Sequence, residues 1–125
     1  MQTDKLIDSL SRPAAFPVEN GDVEVRQTHI SVVFLVDDRA YKVKKAVNFG
    51  FVDYSTLKRR EHFCREEVRL NRRLAPEVYR GVVPIVETEE GLRVGGEGRA
   101  VEWAVEMQRL PEEHTLEAWL ERGEL

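Results

Sequence analysis

The sequence predicts an α+β domain, a mostly antiparallel five-stranded sheet with one long helix packed on it. Three observations carry that expectation. The first 45 residues hold short segments that alternate apolar with polar residues or run through β-branched ones. Residues 55–74 then place Phe63, Leu70 and Leu74 at helical spacing. Beyond Pro76, short apolar segments return between glycine-marked turns.

In order, residues 5–10 form a short helix with Leu6 and Leu10 one turn apart, and Pro13 and Pro17 end it. Asn20-Gly21 marks a turn. Residues 23–27 set Val23 and Val25 against Glu24 and Arg26, the alternation of a strand. Residues 30–36 are a continuous apolar strand, and Asp37-Asp38 turns the chain into a third strand over 39–45. These three make an antiparallel meander. Residues 47–55 form a loop anchored by Phe49, Phe51 and Tyr54, with Ser55 as the helix N-cap. The helix continues to Leu74 or Ala75, where Pro76 stops it. Residues 82–86 are a fourth strand in which Pro84 marks an edge or a bulge. Glu89-Glu90-Gly91 turns into Leu92-Arg93-Val94, residues 95–98 form a flexible turn, and residues 101–107 are the last strand. Thr115 then caps a final helix with Leu116, Trp119 and Leu120 on its apolar face.

One domain suits 125 residues, and 42% hydrophobic with 34% charged residues gives a modest core under a charged surface. The sequence has no apolar run of the roughly 18 residues that a membrane span needs. Its first residues, MQTDKLIDSLSRP, lack the apolar centre of a signal peptide. Cys64 is the single cysteine, so no intrachain disulfide is possible, and a cytoplasmic location is expected. The net charge of −4 hides an asymmetry. Residues 39–80 carry twelve Lys or Arg against five Asp or Glu, while the rest carries seven against eighteen. A basic centre suits an anionic partner, nucleotide phosphates before RNA. The plain reading of most of these cations is a solvated helix face, since Lys58, Arg59, Arg60, Arg65, Arg69, Arg72 and Arg73 lie on one helix.

Two residues stand out from that face. Strand alternation puts Ala40, Lys42 and Lys44 on one side of the third strand and Tyr41 and Val43 on the other. On the helix, Glu67 completes the stripe of Phe63, Leu70 and Leu74. A carboxylate within an apolar stripe is costly unless paired, so the sequence asks for a cation opposite Glu67. Lys42 is the candidate and Lys44 the runner-up. Glu66, rotated toward water, is the alternative carboxylate.

Ala40-Tyr41-Lys42 resembles the V-A-I-K strand of protein kinases, and the run from Glu67, EVRLNRRL, resembles the helix whose glutamate pairs with that strand's lysine. The longer runs THISVVFL, AYKVKKAVNFGFVDYSTLKRR and EEVRLNRRLAPEVYRGVVPI are similar to the amino-terminal part of bacterial aminoglycoside-phosphotransferase-like kinases, some of which carry a second ATP-binding domain. The resemblance spans about Thr28 to Pro111. It implies residues 1–22 as an N-terminal helix and loop, 23–111 as the small lobe of a kinase-like fold, and 112–125 as the start of a helix leading toward a larger lobe. It implies ATP as cofactor, with magnesium ligands supplied by that larger lobe. Lys42 would meet the α- and β-phosphates, Glu67 would orient Lys42, Ala40 and Met107 would line the adenine pocket, and Gln108 to Leu110 would present hinge backbone. Ser31 or nearby N–H groups would cap the phosphates.

The sequence departs from the family in two places. Thr28-His29-Ile30-Ser31 lies where protein kinases have a glycine-rich loop, yet holds no glycine. After Pro111 no catalytic aspartate or metal-binding Asn/Asp set follows. The expectation is an ATP-binding lobe, without catalytic or metal-binding residues of its own, of a phosphotransferase acting on a small-molecule hydroxyl. Two other readings stand beside it. One is a non-catalytic module whose basic helix contacts RNA or an acidic partner, although that helix lacks interleaved aromatics for stacking bases. The other is a degenerate kinase lobe that regulates an adjacent ATP-binding domain.

Overall fold

A computed structural model describes residues 3–17, 22–48, 50 and 53–109. The sequence expectations for Asn20-Gly21, Phe49, Phe51, Leu110 and the helix after Thr115 lie outside the described residues. The chain runs α1 (Thr3–Leu10), a 3-10 turn (Pro13–Ala15), β1 (Val23–Gln27), β2 (Ser31–Val36), β3 (Arg39–Lys44), α2 (Leu57–Asn71), β4 (Tyr79–Thr88), β5 (Gly91–Val94) and β6 (Ala100–Gln108). The fold is α+β, with one sheet of order β1-β2-β3-β6-β4-β5 in which every pair is antiparallel. The β1–β2–β3 meander is present as expected. The sheet has six strands rather than five; β5 spans four residues, too few to show an alternation in sequence.

Both faces of the sheet are covered. On one, Leu6 and Leu10 of α1 pack with Phe16 against Val32, Phe34, Val36, Tyr41 and Val43. On the other, Cys64 and Val68 of α2 pack with Val33, Leu35, Ala40, Tyr79, Val105 and Met107. This double cover explains why β2 reads as an unbroken apolar run: all six of its residues are buried. The β2–β3 hairpin turns at Asp37, whose φ of 52° is left-handed, a region that Asp enters more easily than most residues. That turn fixes the register that sets Lys42 opposite Val33 and Lys44 opposite Ser31.

The boundaries of α2 differ from the expectation at both ends. Its N-cap is Thr56, whose side chain accepts from Arg59 N at 3.2 Å; Ser55 instead donates its hydroxyl to Asp53 at 2.6 Å. The helix stops at Asn71, before Leu74 and Pro76, and the Arg72 guanidinium beyond it donates to the carbonyls of Tyr79 and Arg80. Pro84 lies in an interior strand rather than at an edge, and the β4–β6 register shifts just after it, between Ile85 and Val86. The Pro84 carbonyl accepts from Gly95 on the β5 side, and β5 pairing has ended one residue away, opposite Ile85. A strand residue's N and O point the same way, so Pro84 keeps the bond from Gly95 and forgoes only its reciprocal, at the end of the β4–β5 ladder.

Candidate functional site

Antiparallel register puts directly opposed residues on one face. Under α2, three rungs cross β2 and β3: Ser31 with Lys44, Val33 with Lys42, and Leu35 with Ala40. The next strand extends two of them, setting Val105 against Lys42 and Met107 against Ala40. The face is graded. One end holds a hydroxyl and an ammonium, the middle an ammonium between valines, and the far end only apolar groups.

Lys42 is fully buried, and its Nζ lies 3.2 Å from each oxygen of the Glu67 carboxylate. Lys44, also buried, brings its Nζ to 2.6 Å from Glu67 Oε1. The same ammonium sits 5.0 Å from the centre of the Tyr54 ring. Two ammoniums therefore share one carboxylate. Glu66 points outward and pairs with Arg69 on its own helix.

Glu67 is buried, but on a different stripe from the one the spacing suggested. Leu70 is 49% exposed and Leu74 87%, and Phe63 is half-buried against Tyr54. The buried stripe of α2 is Arg60, Cys64, Glu67 and Val68. Glu67 lies on the edge common to both stripes, which is why the displaced reading still found it. The arithmetic of apolar spacing misled because α2 turns charged residues to the sheet.

Arg60 is the buried charged residue of α2 that sequence reasoning missed. Its Nε donates to Glu102 at 2.9 and 3.1 Å, and Nη1 donates to the Tyr54 carbonyl at 2.8 Å. A cation and a carboxylate 42 positions apart leave no local signal. Only the helical spacing of Arg60 to Cys64 and Glu67 would have hinted at it.

The electrostatics follow from burial and charge count. Burial lowers the Lys42 pKa to about 8; Glu67 opposes this and the Lys44 charge adds to it. Burial is the largest influence on Lys44 and works against its charge, but Glu67, Cys64 and Tyr54 together outweigh it and the net direction is upward. For Glu67, burial would raise the pKa, yet the charges of Lys42 and then Lys44 hold it below the ordinary carboxylate value. The Cys64 thiol beside them is pushed up to about 12 by burial.

The remaining site residues fall as follows. Ala40 and Met107 are neighbours across β3 and β6 and fully buried in the α2-side core. Ser31 is buried, and its hydroxyl has no hydrogen-bond partner. Thr28, before it, accepts from the N–H groups of Ile30 and Ser31 through its side chain, so this turn closes tightly without glycine. Gln108 N donates to the Val78 carbonyl and its side chain donates to that of Asp38, so the Gln108 N–H is engaged within the sheet. Among the described residues, no cluster of three or more His, Cys, Asp or Glu is arranged to hold a metal, and no helix is long and apolar enough to cross a membrane.

No family model matches the chain, and no solved structure matches it. Over 69 residues the chain is 42% identical to an uncharacterised protein of Mycobacterium bovis and, at the same identity, to uncharacterised proteins from two strains of Mycobacterium tuberculosis. That segment covers 55% of this chain and 14% of each relative, so the match spans about a seventh of the length of the mycobacterial proteins.

Proposed function

We propose that this chain is the ATP-binding lobe of a kinase-like phosphotransferase whose acceptor is a small-molecule hydroxyl. The observation that carries the reading is the graded face beneath α2. The residues of this face are buried, and their order from Leu35, Ala40 and Met107 to Lys42, Lys44 and Ser31 is the order that a ligand with an apolar, planar end and a polyanionic end would need. The charge count supports the same ligand, since two buried ammoniums with one carboxylate leave one positive charge uncompensated.

In this reading Lys42 binds the α- and β-phosphates, and Glu67 holds Lys42 at this face until they arrive. A compact ammonium on a flexible stem suits that contact. Ala40 leaves room beside the adenine, and Met107 supplies a soft apolar wall. The bound nucleotide brings magnesium, whose charge would neutralise phosphate oxygens; the small lobe's own residues bind and orient. The aspartates that hold the metal and accept the substrate proton belong to a larger lobe.

The rival reading, a basic helix that contacts RNA, draws less support from the outer face of α2. Arg59 pairs with Asp53, Arg65 with Glu61 and Arg69 with Glu66, while Arg72 is spent on the Tyr79 and Arg80 carbonyls.

The test is nucleotide binding and turnover in the full-length protein. Lys42→Ala abolishes tight binding of ATP with magnesium, and Lys45→Ala leaves it unchanged. The 125-residue chain alone binds ATP weakly and transfers no phosphoryl group. Equal affinity of the wild type and Lys42→Ala for ATP would sink the reading.

A further inference from the structure

The nucleotide reading gives the phosphate contact to Lys42, yet Lys44 makes the shortest contact in the site. Its Nζ is 2.6 Å from Glu67 Oε1, whereas Lys42 Nζ is 3.2 Å from both oxygens. Lys44 is also fixed from a second side by the Tyr54 ring. The groups that face Lys42 are Glu67 and Cys64 from α2, Lys44 from its own strand, and the valines Val33 and Val105 from β2 and β6. Those that face Lys44 are Glu67, Cys64 and Tyr54, with Ser31 across the rung.

We propose that Lys44 is a positioning residue: it keeps hold of the Glu67 carboxylate when Lys42 leaves it for the phosphates of a bound nucleotide. The inference rests on the nucleotide reading above. Its physical basis is the penalty for an unpaired buried charge. With Lys42 alone opposite Glu67, every nucleotide that drew Lys42 away would strand a buried carboxylate. With Lys44 in place, the carboxylate keeps a charge-assisted hydrogen bond throughout. Lys42 then moves between two anions and gains a new one without abandoning the old one to a dry interior. The Ser31 hydroxyl, opposite Lys44 and without a partner, adds an uncommitted donor at the same end of the face. Lys44 acts through Glu67 and Lys42 and touches no phosphate itself.

The experiment measures the Kd of ATP with magnesium in the full-length protein, together with NMR of the lysine ammonium groups. Lys44→Met weakens binding by about tenfold, because Lys42 becomes the sole counter-ion of Glu67 and is held back. Lys44→Arg, which keeps the charge, stays within about threefold of wild type. The double variant Lys44→Met with Glu67→Gln regains most of the lost affinity, since the carboxylate that traps Lys42 is gone. A purely structural role would make the double variant worse than the single one. In the wild type, ATP shifts the Lys42 ammonium signal and leaves that of Lys44 in place, a reading that needs no variant to fold. Wild-type affinity in Lys44→Met, no recovery in the double variant, or a nucleotide-dependent shift confined to Lys44 each overturns the proposal. Loss of the nucleotide reading itself looks different: Lys42→Met then binds ATP as the wild type does, whatever Lys44 shows.

Discussion

Helix α2 is tied to the sheet by two buried ionic contacts that differ in their charge balance. Near its start, Arg60 meets Glu102, one cation to one carboxylate, with a further guanidinium bond to the Tyr54 carbonyl. Two turns later, about 10 Å along the axis, Glu67 meets Lys42 and Lys44, two cations to one carboxylate. Both sit under the same helix, out of water. The first is complete in itself and answers to the requirements of folding. The second sets two cations on one carboxylate and so has a spare charge. Burial alone does not distinguish the two contacts; their stoichiometry does.

The largest expected effect comes from breaking the balanced contact. Glu102→Ala strands a buried guanidinium and costs about 3–5 kcal/mol in urea unfolding. Replacing both partners by apolar residues, Arg60→Met with Glu102→Leu, is close to neutral. A double variant as unstable as the single one would show that Arg60 matters for more than its charge partner.

The unbalanced contact is expected to respond differently. Glu67→Gln costs about 3 kcal/mol, less than a stranded guanidinium at the upper end, because Lys42 can release its proton and a guanidinium cannot. Added phosphate or pyrophosphate recovers part of this loss by supplying the missing anion, and does nothing for Glu102→Ala. Equal rescue of both variants by salt would erase the distinction drawn here.

A third effect is read against pH. Lys42 has a folded pKa of about 8, lowered from 10.5, so between these values the unfolded chain holds a proton that the folded one has lost. Its contribution therefore makes the protein more stable as pH rises through that window. Anion binding runs the other way, because a neutral Lys42 attracts no phosphate, so nucleotide affinity falls above about pH 8. Lys42→Met flattens both trends. Glu67 behaves oppositely: its pKa is depressed, so the stability it lends is present above the ordinary carboxylate range and lost as pH falls through its folded value.

The smallest effect is at Glu66. It is exposed and paired only with Arg69 one turn away, so Glu66→Ala leaves the unfolding midpoint and ATP affinity unchanged within error. A loss comparable to that of Glu67→Gln would mean that the two carboxylates had been assigned to the wrong roles.

Much of this was legible in the sequence because it depends on short-range periodicity. Alternation in β3 placed Ala40, Lys42 and Lys44 together, and the meander needed only the strands and the Asp37-Asp38 turn. The helix was legible in its middle and not at its ends. Thr56 displaced Ser55 as the cap, and the helix ends at Asn71 rather than at Leu74 or Ala75. Arg60–Glu102 was out of reach because its partners meet only after the sheet has formed. The sharing of Glu67 by two lysines was half visible: both stood on one face, but nothing in the spacing said that one carboxylate would serve both.

Cys64 gives the chain a clock. Its thiol is wholly buried against the lysine–glutamate cluster, and its pKa of about 12 leaves almost no thiolate at neutral pH. A thiol reagent can reach it only in the moments when α2 lifts from the sheet. The labelling rate of the unmodified protein thus counts those moments directly, and a ligand that clasps the helix to the strands slows the count.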